Sequence, residues 1–165
     1  MVIAVIADTH MPRGARRLPA ECVERLRDAD LIMHAGDFVA TAVLAELRTL
    51  GPPVAGVHGN VDSAELRRSL PAKRVVEVEG ARIAMVHDGG RRQGRVRRLA
   101  RCFPGVQAVV FGHSHMPLHE GTDGFQIFNP GSPTERRRAP RRTMGLARVE
   151  LGTVAFEHVS FEPPA

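Results

Sequence analysis

At 165 residues the chain has the length of one domain, long enough to bury roughly 70% of the surface its unfolded form exposes. The two cysteines show no C-x-x-C spacing, the chain opens in a strand and not in a signal-type segment, and no apolar run approaches the ~20 residues of a membrane span, which excludes a disulfide scaffold and a membrane-spanning helix and predicts a reduced, cytoplasmic protein. The formal charge of +5 is carried almost wholly by arginine, with Lys73 the only lysine, and without interleaved aromatic residues it does not by itself predict a nucleic-acid interface.

Val2-Ile3-Ala4-Val5-Ile6-Ala7 is a run of small or β-branched apolar residues with no polar break, the pattern of a strand buried on both faces. It runs into Asp8-Thr9-His10. Residues two apart at a strand end project to the same side, so Asp8 and His10 are expected to converge as metal ligands. Pro19-Ala20-Glu21 begins a short helix to Asp28, with Val23 and Leu26 on its apolar side. A second buried strand, Asp30 to His34, ends in Ala35-Gly36-Asp37. Thr41 is the expected cap of a helix with Val43, Leu44, Leu47 and Leu50 on one face, stopped by Gly51-Pro52-Pro53. A third strand, Val54 to Val57, delivers His58-Gly59-Asn60-Val61-Asp62.

Three strand-then-polar-loop units separated by helices predict an α/β fold with its site at the carboxyl ends of the strands. Ser63 to Leu70 reads as a brief helix, and Arg74 to Val78 with Arg82 to Val86 reads as a hairpin about Glu79-Gly80-Ala81 that ends in His87-Asp88. Arg92 to Phe103 has the pattern of a basic amphipathic helix with Val96, Leu99, Ala100 and Phe103 inward. Val106 to Phe111 is a further buried strand and terminates in Gly112-His113-Ser114-His115. Phe125 to Phe128 leads into Asn129-Pro130-Gly131-Ser132, Arg136 to Arg142 reads as an exposed loop, and Met144 to Leu151 with Thr153 to Phe161 closes the chain as a hairpin. No repeat or linker divides the chain, so residues 1–165 are read as a single domain.

Seven ligand-capable residues thus close apolar segments: Asp8, His10, Asp37, Asn60, His87, His113 and His115. One tetrahedral zinc takes at most about four protein groups, so seven point to two ions sharing a bridging carboxylate. Carboxylate, imidazole and amide oxygen without thiolate suit Mn, Fe, Zn, Co or Ni, and ligand type alone does not choose among them.

The ordered set D-x-H, G-D, G-N, H and G-H-x-H between Val2 and Ser132 resembles the calcineurin-like metallophosphoesterase superfamily. The short length, Gly59-Asn60-Val61-Asp62 and Asn129-Pro130-Gly131-Ser132 resemble its small bacterial and archaeal phosphodiesterase branch. The resemblance implies a four-layer α-β-β-α sandwich of two mixed sheets. It implies two divalent ions, with manganese favoured: one held by Asp8, His10 and His115, the other by Asn60, His87 and His113, with Asp37 bridging. It further implies hydrolysis of phosphoesters, of diesters in preference to monoesters, by in-line attack of a metal-bridging hydroxide. Asp37, Asn60 and His113 would position metal and phosphate, and Asp62 would orient a neighbouring group or accept loop amides. Two positions depart from the family pattern. Larger members carry a histidine where Val61 stands here, so good leaving groups should react far better than alkoxides. Asp88 replaces a common glycine, either to tune the second ion or to shape the turn.

Two rival functions share this fold: a scaffold or regulatory subunit, as in a retromer-type assembly, and a nuclease using the basic surface. Scaffolds tend to lose ligands, whereas every ligand position here is filled. A small phosphoester is the expected partner, with no membrane, and homo-oligomerisation stays open. His34 and His58 are expected as hydrogen-bonded structural histidines, His119 and His158 as surface residues, and Thr9 as a turn former. Arg136, Arg137, Arg138, Arg141 and Arg142, like Arg91, Arg92 and Arg95, are expected as solvated charges, and Cys22 and Cys102 as small buried hydrophobes.

Overall fold

The layers follow from the alternation of the opening strand. In β1 (Val2–Ile6), Ile3 and Val5 point to one face and Ala4 and Ile6 to the other, and all four are fully buried. In the computed structural model, which describes residues 1–122 and 124–161, Ile3 and Val5 enter a core shared by two sheets, while Ala4 and Ile6 enter a core beneath helices. A strand covered on both faces leaves no place for a polar side chain, which is why the opening run has none.

The first sheet has the order β10 (Thr153–Phe161), β9 (Arg142–Glu150), β1, β2 (Leu31–His34), β3 (Val54–Gly56). β1, β2 and β3 are parallel, and β9 runs antiparallel to β1. Helices α1 (Ala20–Arg27), α2 (Thr41–Arg48) and α3 (Ala64–Ser69) bury Cys22, Leu26, Leu44, Leu47 and Leu66 against its outer face. Each such leucine contributes about 1.5–3 kcal/mol by burial. The second sheet has the order β4 (Lys73–Val78), β5 (Ala81–Val86), β6 (Ala108–Val110), β8 (Phe125–Asn129), β7 (Leu118–Thr122). Its three inner strands are parallel and its two edge strands antiparallel to their neighbours. Helix α4 (Arg95–Cys102) covers it, with Leu99 packed among Ala84, Val109, Phe111 and Ile127. The result is the expected four-layer α-β-β-α sandwich of two mixed sheets. Among the described residues no helix is long and apolar enough to cross a membrane.

Local departures have identifiable causes. Thr41 is the first residue of α2 and not its cap: Ala40 takes that place with no side-chain cap, and the entering loop is held instead by Asp62, whose Oδ1 accepts from Val39 N at 2.6 Å. Ser63 does cap α3, its Oγ accepting from Leu66 N at 3.3 Å. Helix α4 starts at Arg95, after Gly94 in a left-handed conformation (φ 66°). Strand β7 was not expected, because an edge strand rich in polar residues and containing Gly121 lacks the apolar alternation that marks buried strands. Cys22 is buried as expected, but Cys102 at the end of α4 is exposed.

Candidate metal centre

The carboxyl ends of the parallel strands of both sheets meet at one edge, and the seven predicted ligands lie on the loops that leave them. Asp8 and His10 follow β1, Asp37 follows β2, Asn60 follows β3, His87 follows β5, and His113 and His115 follow β6. Backbone bonds lace these loops together: Asp8 N donates to Gly36 O, His10 N to Asp37 O, and Gly112 N to His87 O, at 2.9–3.0 Å. The expectation that strand pleating aims Asp8 and His10, or His113 and His115, is corrected. β1 ends at Ile6 and β6 at Val110, and all four residues, like Asp37, have positive φ between 46° and 69°. Non-glycine residues in that region cost about 1–3 kcal/mol each and persist only where their surroundings hold them, so loop conformation does the aiming.

Two triads result. Ligand atoms of Asp8, His10 and His115 lie within 4.8 Å of one another, as do those of Asp37, His87 and His113. Asp37 Oδ2 joins them, 3.3 Å from His10 Nε2 and 3.2 Å from His87 Nε2. Asn60 Oδ1 lies 3.1 Å from His87 Nε2 and 3.0 Å from His113 Nδ1.

The donor chemistry fits divalent cations. His87 Nδ1 donates to Ala35 O and His115 Nδ1 to Glu135 O, both at 2.7 Å, which turns Nε2 of each ring toward the cluster, where a cation would take its lone pair. Asp8 Oδ2, His10 Nε2 and His115 Nε2 are buried without a hydrogen-bond partner. Each such group costs about 1–3 kcal/mol, and a cation among them would satisfy all three. Burial pushes the Asp8 carboxyl up to about 7, with the Asp37 charge adding to the effect and His87 opposing it. Burial also lowers His115 to about 4, so its ring stays neutral. At Asp37 burial works upward, yet His10, His87 and the Val61 N–H outweigh it and hold the carboxyl well below the usual range. His87 is raised despite its burial, by Asp37 and Asp8. An excess of ionised or lone-pair donors at one point, with no thiolate, is a site built to gain by binding cations.

A surrounding layer holds these groups in place. Asp62 is buried and accepts three loop amides, from Asp37 N, Val39 N and Gly59 N, at 3.1, 2.6 and 2.7 Å. Gly59 is required by the approach of Asp37: a Cβ there would lie 2.0 Å from Asp37 Oδ1. Thr9 does more than turn its loop, since its buried Oγ1 meets His34 Nε2 at 3.1 Å and its carbonyl accepts from Thr134 Oγ1. His34 is the structural histidine expected, fully buried and stacked on Phe38 with ring centroids 3.5 Å apart. His58 is half-buried with Nδ1 3.4 Å from Gly59 O, and Asp88 shapes its turn by accepting from Gly90 N at 2.7 Å. His119 and His158 are exposed and stand outside the centre.

Residues of the second half also serve the site: the Asn129-to-Ser132 motif, to which the sequence assigned no role, and Glu135, which it did not single out. Asn129 Nδ2 donates to Gly112 O, and Ser132 Oγ donates to Asp8 O while accepting from Glu135 N. The turn Asn129-Pro130-Gly131-Ser132 therefore ties the two histidine loops together. Glu135 Oε2 lies 3.6 Å from His10 Nδ1 and 3.9 Å from His115 Nδ1, and Arg16 fixes the other oxygen at 3.0 Å. The only sequence signal for it was its place three residues after Ser132. Several arginines are not simply solvated. Arg95 Nε and Nη2 both donate to Gly90 O, Arg98 Nη2 reaches Gly89 O and Arg91 O, and Arg137 Nη1 lies 3.5 Å from His113 O.

Imidazoles, carboxylates and an amide oxygen gathered at the shared edge of an α-β-β-α sandwich make a candidate centre for divalent cations. The sequence pattern of the calcineurin-like phosphoesterase superfamily domain matches residues 1–152, and the chain belongs to that family. It is 35% identical over 148 residues to a probable metallophosphoesterase of Methanothermobacter thermautotrophicus, covering 88% of this chain and 85% of that protein. A phosphodiesterase of Methanocaldococcus jannaschii is 25% identical over 146 residues, 79% of this chain and 83% of that one. The crystal structure of Vps29 from Chaetomium thermophilum shares the fold with a TM-score of 0.80 at 21% identity, covering 99% of this chain and all of that one.

Proposed function

We propose that the chain is a dinuclear metal-dependent phosphodiesterase acting on small phosphoesters in the cytoplasm. The observation that carries this reading is Asp37 Oδ2, placed at 3.3 and 3.2 Å from one imidazole of each triad, where a single carboxylate oxygen can serve two ions. Asp8, His10 and His115 would hold one ion, Asn60, His87 and His113 the other, and Asp37 both; manganese is favoured by the family resemblance. Two divalent ions held there would supply an acidified water and neutralise phosphoryl oxygens.

The chain's own residues do the rest. Asp37 keeps its negative charge between the triads because two imidazoles and the Val61 N–H hold it ionised. Of the seven ligands only Asn60 and His113 are exposed, so a substrate phosphoryl group meets these two first. Asp62, through three amides, keeps the bridging carboxylate in register with Asn60, and misplacement by about 1 Å can cost 100-fold in rate. A diester as substrate is supported by the relative named a phosphodiesterase. A cleft of about 290 Å³ beside Asn60, His87 and His113 has room for one arm of a small ester.

The test is to strip the protein with chelator, reload it with Mn, Zn, Ni or Co, and assay bis-p-nitrophenyl phosphate, cyclic nucleotides, p-nitrophenyl phosphate and oligonucleotides. The expected result is metal-dependent turnover with a higher kcat/KM for the aryl diester than for the monoester. Metal-loaded protein inert toward every ester would contradict the proposal and favour a scaffold role. Salt-sensitive oligonucleotide cleavage faster than any small diester would favour a nuclease.

A further inference from the structure

The cleft beside the centre is walled by His58, Asn60, Arg67, Ala72, Val86 and His87 and bordered by Asp88 and His113. Its one arginine is anchored in an unusual way. Arg67 Nε donates to Asp62 O at 3.0 Å and Nη2 donates to Asn60 O, so the guanidinium is clamped against the two carbonyls that flank Val61. Its Nη1 makes no hydrogen bond to any described residue. Both carbonyls belong to the loop that carries Asn60, so the cation cannot drift without moving that loop. A fixed, exposed guanidinium with an unused N–H at the wall of a cleft is an anion-recognising group prepared in advance.

Direction follows from burial. Asp37 Oδ2, His10 Nε2 and His87 Nε2 form the inner, buried wall of the centre, while Asn60 and His113 face solvent. With the attacking oxygen at the inner wall, in-line displacement would send the leaving group to the outer side, where Asn60 and His113 border the cleft. Val61, next to Asn60, has no proton to give.

Resting on the phosphodiesterase reading, we infer that this cleft is the subsite for the leaving arm of the substrate and that Arg67 is the catalytic residue that neutralises the leaving oxygen. The oxygen of water bonds to phosphorus and its proton goes to solvent. The bond from phosphorus to the leaving oxygen breaks, and the electron pair stays on that oxygen. Its charge is met by the guanidinium, and the proton that completes the alcohol or phenol comes from solvent water. Ala72 and Val86 give the cleft an apolar wall, and a volume just below the roughly 300–1,000 Å³ of small-molecule sites suits an arm the size of an aryl group.

The test compares wild type, Arg67→Met and Arg67→Lys on aryl methyl phosphodiesters running from 2,4-dinitrophenyl to phenyl, with metal content and thermal unfolding measured on each protein. Arg67→Met is expected to lose about 10–100-fold in kcat on the phenyl ester and under about 3-fold on the dinitrophenyl ester, since removing one charge-stabilising donor matters only where negative charge builds up. Arg67→Lys should fall between, and guanidinium ion in solution should restore part of the Arg67→Met rate on the phenyl ester alone. Binding of methyl phenylphosphonate, which has one aryl arm and no ester bond to it, should weaken less than the phenyl-ester rate. An equal loss across the series, as expected if Arg67 only positions Asn60, overturns the assignment while leaving the phosphodiesterase reading intact. No loss overturns it as well. Wild-type protein that holds its metal and turns over none of the series overturns both.

Discussion

Replacing Asp62 by alanine removes a side chain that ties the loop of the bridging carboxylate to the loop of Asn60 through three amides. Three buried or half-buried amides, of Asp37, Val39 and Gly59, lose a charged acceptor at 2.6–3.1 Å. A hydrogen bond to a charged group contributes about 1.5–3 kcal/mol, and an orphaned buried donor costs about 1–3 kcal/mol. The three share one acceptor and water can enter the space, so the terms do not add, and the expected loss is about 3–5 kcal/mol. In a chain of this size that corresponds to a fall in Tm of roughly 6–20 °C. Asp62→Asn keeps an acceptor for part of the set but turns an NH2 group toward amide donors, so it should lose less than alanine and still fall well short of wild type. The assay is denaturant and thermal unfolding of the metal-free proteins, followed by metal titration of each. Because Asp62 holds Asp37 N, metal affinity should drop about 10–100-fold in parallel. A Tm within about 2 °C of wild type for Asp62→Ala would refute the reasoning.

Other consequences are as direct. Burial pushes His34 down to about 3, so the fold holds it neutral while the unfolded chain takes up a proton below its ordinary value of 6.5. The contribution of His34 is complete above about 6.5 and is lost as pH falls toward 3, by up to about 1.4 kcal/mol per unit; unfolding in chelator at several pH values should show a flatter acid limb for His34→Gln than for wild type, and equal slopes would contradict this. Glu135→Ala removes the carboxylate beside His10 Nδ1 while leaving the backbone carbonyl that holds His115 Nδ1, and competition with a chromogenic chelator should show one ion bound about 10–100-fold more weakly, where a change under about 3-fold would exclude a role for the carboxylate. Gly59→Ala places a methyl group 2.0 Å from Asp37 Oδ1, so both ions should be lost together, and retention of either at wild-type affinity would show that the carboxylate can move aside.

Much of the site was legible because its residues break a pattern. Asp8, Asp37, His87 and His113 are each a polar residue closing a doubly buried apolar run, and such runs have few reasons to end in imidazole or carboxylate. The layers were legible for the same reason, since Ile3 and Val5 against Ala4 and Ile6 announce two covered faces. What could not be read was anything set by contacts distant in sequence. Nothing local shows that Asp37 lies between His10 and His87, that Ser132 braces Asp8, or that Glu135 backs two histidines. The aiming of Asp8 and His10 was read through strand pleating, whereas left-handed loop residues achieve it, and such residues leave no mark in a sequence when they are not glycine. β7 was missed because an edge strand with His119, Glu120 and Gly121 has only one face to bury.

The centre depends on Asp37 more than on any other residue, and metal stoichiometry tests this most directly. Wild-type protein reloaded with manganese and desalted should carry two ions per chain and hydrolyse bis-p-nitrophenyl phosphate, whereas Asp37→Ala, folded by circular dichroism, should retain at most one weakly held ion and lose turnover. An Asp37→Ala protein that keeps both ions and full activity would contradict the bridging role and the two-metal account built on it.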